Sequence, residues 1–406
     1  MAKALEGIRI LEWVQWMNGS VYQLGDMGAE VIHIEDTVRG DASRGLAALW
    51  GASTVLPGGR NLVFDSCNRS KKGITLDLKS EKGKEVLYRL VKNSDVFVTN
   101  SRKSVAKRLG MDYKTLSRHN PQLVYVKAAG LGEKGPYSEI RAFDPLTQAM
   151  SGMMWNMGDR DDPDPVQITG AVFDSLGASV TSYAVTMGLL VRERMGIGQE
   201  IDTSQMRSAM TCLLASQVRR TLWMGRPSAR HSRKRERNAL ANHYRCADDK
   251  WIILSEAQSD RFWHEFCETL GMEELEHEER FSDALKRRES FAELIATLEK
   301  IFVTKTRDEW IEFFQKKGCQ FSYAPILTFE EMINHPQIVE NDYIAETEHP
   351  TLGRVKVEGA PFGMSKTPAT FEISAPEFGQ HTEEVLMEAG GYTWEEIARL
   401  RDEEVI

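Results

Sequence analysis

One carboxylate in this 406-residue sequence stands in a setting suited to nucleophilic work. Asp174 lies within Gly170-Ala171-Val172-Phe173-Asp174-Ser175-Leu176-Gly177-Ala178, after a short apolar run and at the mouth of a long segment of helical composition. Small residues on both sides let a large ligand approach the backbone, and Val172 and Phe173 would help to exclude water. A carboxylate so placed can attack an acyl carbon and form a covalent intermediate, with nearby amides stabilising the oxyanion. The same position suits a plain helix N-cap, whose side chain only satisfies free backbone amides. In either role the amides and the helix dipole favour the ionised form. The residues alone leave both roles open.

Two cationic clusters could hold phosphates. Asn68-Arg69-Ser70-Lys71-Lys72-Gly73 precedes a strand, and Arg39-Gly40-Asp41 with Arg44 follows another. The carboxyl ends of a parallel sheet are where open α/β folds bind ligands; the alternative is a solvated loop. The basic run from Arg230 to Arg237 has no interleaved aromatics and reads as exposed. Met153, Met154, Trp155 and Met157, and separately Trp13, Trp16 and Met17, are core residues by type. If the two groups line one pocket, they suit a bulky apolar or aromatic acyl group.

The elements that must position these residues alternate. Ile8–Trp13 reads as a strand, followed by a turn at Asn18-Gly19-Ser20, a helical stretch through Met27 and a strand over Glu30–Glu35. The intervening loop carries one glycine where a dinucleotide fingerprint wants three, so NAD is rejected while the Rossmann-like sheet is kept. Strands at Gly73–Leu78, Asp95–Thr99, Leu123–Lys127 and Glu200–Ser204 alternate with helices at Glu81–Asn93, Val105–Leu109 and beyond Asp174. This is an α/β doubly wound pattern. We expect a large parallel-sheet domain over 1–205, a linker helix and loop over 206–250, a smaller α+β domain over 251–325, and a return linker with the C-terminal part of the large domain over 326–406. The small domain opens on the strand Trp251–Leu254, with helices around 259–270, 290–303 and 307–317. An amphipathic helix pair is expected in 379–406.

Composition excludes several classes. A net charge of −9 argues against nucleic-acid binding, which needs a basic face. No run of about 18 apolar residues predicts a membrane span, and MAKALEGIRILEW lacks signal-peptide organisation, so a cytoplasmic location is expected. Five scattered cysteines form neither a disulfide framework nor a CxxC site, and the nine histidines make no HxH or HExxH pattern, so no metal is expected.

Five ordered stretches resemble the class III CoA-transferases, the CaiB/BaiF group: GAEVIHIE (28–35), NRSKKGITLDLKSEKGKEVLYRLVKNSDVFVTN (68–100), AFDPLTQAMSG (142–152), GAVFDSLGAS (170–179) and GQHTEEVL (379–386). The resemblance implies an acyl-CoA and a carboxylic acid as substrates, with no permanently bound cofactor. It also implies an interlocked homodimer with connectors at 205–250 and 320–350, or a heteromer with a related subunit. By the same resemblance Asp174 is the nucleophile, forming a mixed anhydride and then an aspartyl-CoA thioester, and Gln15 sits beside it. Arg39, Lys72, Asn100, Arg102 and Arg108 would contact CoA. Trp16, Met17, Met154 and Trp155 would shape the substrate pocket for an apolar or aromatic acceptor, with succinyl-CoA as a plausible donor. The first loop, Gln15-Trp16-Met17-Asn18-Gly19-Ser20, departs from the family's usual His or Arg followed by Ala-Gly-Pro. The glycine-rich loop of formyl-CoA transferases is missing from 230–260, which counts against oxalate. Alternatives are a carnitine-type transferase, an acyl-CoA racemase and a non-catalytic subunit. The racemase needs a histidine where this chain has Phe143 before Asp144, and phenylalanine cannot exchange a proton.

Overall fold

The computed structural model describes residues 2–226, 229–371 and 374–406. The chain falls into two compact units. One comprises Met1–Met154, Gln167–Ser228 and Asp342–Ile406, the other Trp155–Val166 and Ala229–Asn341.

The first unit is built on a six-stranded sheet. Its strands are β1 (Arg9–Trp13), β2 (Glu30–Glu35), β3 (Lys71–Thr75), β4 (Val96–Thr99), β5 (Val124–Ala129) and β6 (Gln199–Ser204). Every pairing is parallel, in the order β3-β2-β1-β4-β5-β6. The chain adds β2 and β3 on one side of β1 and β4, β5 and β6 on the other, so the strand order reverses between β1 and β4, the switch point at which doubly wound sheets open a crevice. Alternate side chains feed opposite faces, as a period of two requires. Leu11, Phe97 and Tyr125 pack into one core cluster, whereas Ile10, Val96, Val98, Val124 and Val126 pack into the other. Burial on both faces explains the nearly continuous apolar runs of β4 and β5.

The helix Glu81–Lys92 starts at Ser80, whose hydroxyl accepts the Gly83 amide, and buries Val86, Leu87, Leu90 and Val91. The two C-terminal helices, Thr382–Glu388 and Trp394–Asp402, add Val385, Leu386, Ile397 and Leu400 to that same cluster. The strand expected over Gly73–Leu78 lies instead at Lys71–Thr75, because its pairing with β2 runs from Val31 opposite Lys71 to Glu35 opposite Thr75. The linker helix expected at the start of 206–250 breaks into Gln205–Ser208, a π-turn at Ala209–Leu213 and a helix over Ala215–Met224.

The second unit holds a three-stranded antiparallel sheet, β7 (His243–Arg245), β8 (Trp251–Leu254) and β9 (Tyr323–Ile326), in the order β9-β8-β7. Helices Ser259–Leu270, Phe291–Phe302 and Arg307–Lys317 cover it with an aromatic-rich core. This unit is larger than the 251–325 domain expected from sequence. Ala239, Leu240 and Tyr244 are buried in its core, which draws in the chain from Ala229 that had read as a linker. Among the described residues no helix is long and apolar enough to cross a membrane.

Candidate active site

Four loops at the carboxyl ends of β1, β2, β4 and β5 converge on a cavity of about 1010 Å³. The β1 loop contributes Gln15, Trp16, Met17 and Asn18; the β2 loop Asp36, Arg39 and Gly40; the β4 loop Asn100 to Arg102; the β5 loop Ala129 to Leu131. Gly170, Ala171 and Asp174 close it from the start of the long helix Val172–Met195. The cavity therefore sits at the topological switch point, as the sheet order dictates.

The first loop is held in an unusual shape. Trp16 takes a left-handed backbone with φ of 65°, a conformation that a bulky residue keeps only when its surroundings enforce it. Asn100 supplies that enforcement. Its amide nitrogen donates to the carbonyls of Gln15 at 2.6 Å and Asn18 at 2.8 Å, and its oxygen accepts the Gln15 amide at 3.1 Å. Asn100 thus straps the loop, its polar atoms already engaged with the chain. Gly177 completes the approach: a Cβ there would lie 2.4 Å from Asn18 Oδ1, so only glycine lets the long helix pass this close to the loop.

Asp174 is not a helix cap. The amides of Phe173 and Asp174 donate to the carboxylate of buried Asp144, the second at 3.1 Å. Gln148 in turn donates to Asp144 and grips residue 168, accepting the Ile168 amide at 2.9 Å. With Asp144 occupying the helix start, the Asp174 side chain is left for other work. It is half-buried and its Oδ1 accepts a hydrogen bond from Gln205 Nε2. Burial, and then the like charge of Asp144, push its pKa up to about 7, against the smaller downward pull of Gln205. This reverses the expectation that the helix start would favour the ionised form, because Asp144 has taken the favourable amides.

The structure brings Asp174, Gln15, Trp16, Met17, Arg39, Asn100 and Arg102 to one cavity. Gln15 does not bond to Asp174; its Oε1 accepts the Ala42 amide at 2.9 Å. Lys72 and Arg108 are not on the cavity wall. Lys72 pairs with Glu30 at 2.9 Å and Glu384 at 2.6 Å, and Arg108 is exposed at the end of the helix Lys103–Arg108. The other cations of the 68–73 cluster are also spent on the chain's own acids, Arg69 on Asp26 and Lys71 on Glu12. Met154 does not line the cavity, and Trp155 belongs to the second unit, where Arg230 lies over its ring at 4.7 Å. Their place is taken by Trp13, Trp50, Leu62 and Phe143, the last meeting Trp16 edge-to-face with ring centroids 6.0 Å apart.

The sequence model of CoA-transferase family III matches residues 5–382. The chain belongs to this family. Among its relatives, an acyl-CoA transferase of Fusarium pseudograminearum is 31% identical, the match covering 99% of this chain and 88% of that one. The succinyl-CoA:glutarate CoA-transferase of Mus musculus is 29% identical over 98% of this chain and 89% of its own length. The cinnamoyl-CoA:phenyllactate CoA-transferase of Clostridium sporogenes is 28% identical over 98% and 96%. In fold, the chain is similar to a CaiB/BaiF family protein from Brucella suis, with a TM-score of 0.83, 27% identity and coverage of 96% and 100%. This family III protein is accordingly an enzyme of CoA transfer. Sequence reasoning missed Asp144 and Gln205 as neighbours of the candidate nucleophile, since they lie 30 positions before and 31 after it.

Proposed function

We propose that the enzyme moves CoA from an acyl-CoA donor to an apolar or aromatic carboxylic acid, with Asp174 carrying the transferred group. The observation that carries this reading is a carboxylate with a raised pKa, its Oδ2 without a hydrogen-bond partner among the described residues, set at the wall of a largely apolar cavity on the sheet's switch point. Asp174 attacks the donor thioester to give a mixed anhydride and CoA thiolate. The thiolate takes the aspartyl group, forming an aspartyl-CoA thioester and freeing the donor acid. The acceptor carboxylate attacks that thioester, and the thiolate finally claims the acceptor acyl group. Activation is conserved throughout, so no nucleotide is consumed.

Arg39 and Arg102 would meet CoA phosphates, a reading supported by their exposure on the cavity wall. Gln15 and Asn100 shape the loop over the reacting carbons rather than contact the nucleophile. Trp13, Trp16, Trp50 and Phe143 favour an aromatic acceptor, in line with the phenyllactate relative, and succinyl-CoA is the donor we favour from the names of the others. We further propose an interlocked homodimer with connectors in 205–250 and 320–350. Leu222, Trp223 and Met224 are 74%, 80% and 60% exposed on one short helix, a patch that favours cover by a second chain. The cysteines are all free thiols, which supports a reducing, cytoplasmic setting.

The test is to incubate the enzyme with succinyl-CoA, trap with hydroxylamine or borohydride and map the modified residue by mass spectrometry. Modification is expected at Asp174, and Asp174→Ala should lose at least about 10⁴-fold in transfer rate, as removal of other covalent nucleophiles does. Modification at another residue, or full activity in Asp174→Ala, sinks the mechanism. Deuterium wash-in at the α-carbon without CoA transfer would favour racemisation instead.

A further inference from the structure

Two of the four bond changes take place at the carbonyl of the enzyme's own aspartate, and one neutral side chain is aimed at its oxygen. Gln205 follows β6 directly and is buried. Its Nε2 donates to Asp174 Oδ1, while its Oε1 accepts a hydrogen bond from buried Thr147 Oγ1 at 2.8 Å. An ionised carboxylate only accepts, so Asp174 takes the N–H end of the amide, and the Thr147 hydroxyl turns to donate to the other end. Oδ2 has no hydrogen-bond partner among the described residues, and is free to attack.

We infer that Gln205 is the oxyanion donor for the aspartyl carbonyl, serving the formation and the consumption of the aspartyl-CoA thioester but not the two steps at substrate carbonyls. The inference rests on the proposed role of Asp174. In the second step the CoA thiolate adds its electron pair to the Asp174 carbonyl carbon of the anhydride. The C=O pair moves onto Oδ1, and collapse re-forms C=O and expels the donor carboxylate. In the third step the acceptor carboxylate adds to the same carbon, charge again gathers on Oδ1, and collapse expels the thiolate. No proton is transferred in either step, so a fixed N–H donor suffices. In the first and last steps the oxyanion forms on the donor or acceptor acyl oxygen, away from Oδ1. A neutral amide is also the suitable group: a cation would hold Asp174 as an inert ion pair, and a second acid would repel the developing charge.

The experiment separates these steps. Wild type, Gln205→Leu, Thr147→Val and Asp174→Ala are mixed with succinyl-CoA and no acceptor. Intact-protein mass spectrometry reads the CoA adduct, and hydroxylamine quenching reads total activated acyl, on Asp174 and on released succinyl hydroxamate together, above the Asp174→Ala background. In Gln205→Leu the CoA adduct should form about 10²–10³-fold more slowly, the usual cost of one oxyanion donor, while total hydroxamate forms within about fivefold of wild type. Thr147→Val, which leaves the amide in place but unanchored, should show the same selective loss at about tenfold, and serves if Gln205→Leu does not fold. An adduct formed at the wild-type rate would overturn the assignment. So would adduct and hydroxamate falling in equal proportion, because Gln205 would then only orient Asp174. Absence of any Asp174 modification in wild type would instead refute the proposed nucleophile.

Discussion

Two clusters of charged side chains lie against the same sheet, and the chain treats their acids oppositely. In the first, Glu12 of β1, His33 of β2 and Lys71 of β3 are all but inaccessible. Glu12 accepts from His33 Nδ1 at 2.8 Å and from Lys71, which also donates to Ser20 at 2.8 Å and Asn68 at 2.9 Å. Burial works to raise the Glu12 pKa, but Lys71 and His33 together hold it below the ordinary glutamate value. In the second, Asp144 and Asp174 share a helix start, and the only side chain that donates to Asp174 among the described residues is the neutral amide of Gln205. There burial and like charge act together, and the Asp174 pKa rises to about 7. A buried acid given cations becomes a fixed strut; one given another acid and an amide stays ready to form a bond.

The contrast breaks most visibly on the strut side. Glu12→Gln removes the carboxylate that pairs with Lys71 and leaves His33 with Asp41 alone, 3.6 Å from its Nε2, and removing one partner of a buried ion group costs about 3–5 kcal/mol. Urea unfolding at pH 7 should show that loss in the midpoint with the slope unchanged. A loss below about 1 kcal/mol would mean that the cluster is hydrated and that the comparison with Asp174 is empty.

Asp174→Asn should do the reverse. The folded chain holds a proton on Asp174 up to about pH 7, whereas an aspartate ordinarily loses its proton near 3.8. Between those values the folded state binds more protons, so this group makes stability fall as pH rises. Asparagine removes the fall. The variant should match wild type near pH 4 and exceed it by on the order of 3 kcal/mol at pH 8, read from thermal unfolding across that range. Destabilisation at pH 8 would show that a cation pairs with Asp174 in solution.

How much of this was legible in the sequence follows from the range of each interaction. The strand Glu30–Glu35 and the helix from Glu81 are set by local pattern and capping, and they lie where the residues predict. The place of Asp174 at a ligand-sized cavity was legible because its glycine-flanked context is local. Its chemical state was not, since that depends on Asp144 and Gln205, which the helix and β6 bring together from distant positions. The cations of 68–73 misled for the same reason: Lys71 and Arg69 meet Glu12 and Asp26, which no spacing rule connects to them. Pocket aromatics divided likewise. Trp16 follows β1 and must face the crevice, whereas Trp155 matched in type but belongs to the other unit.

Asp144→Asn gives the smallest effect and the most specific one. Asparagine keeps an oxygen for the amides of Phe173 and Asp174, so the helix start is weakened but not abandoned. The like charge is lost, and the Asp174 pKa must fall. The acid limb of the kcat/KM profile reports the free enzyme's essential groups; in wild type it should lie near pH 7. In the variant it should move to lower pH. A less basic carboxylate is also a weaker nucleophile, so the plateau above pH 8 should drop a few-fold. The two profiles should therefore cross, the variant faster at pH 6 and slower at pH 8. A fault in the helix start alone would depress the rate at every pH and leave the limb in place. Only a nucleophile held back by its neighbour's charge produces the crossing.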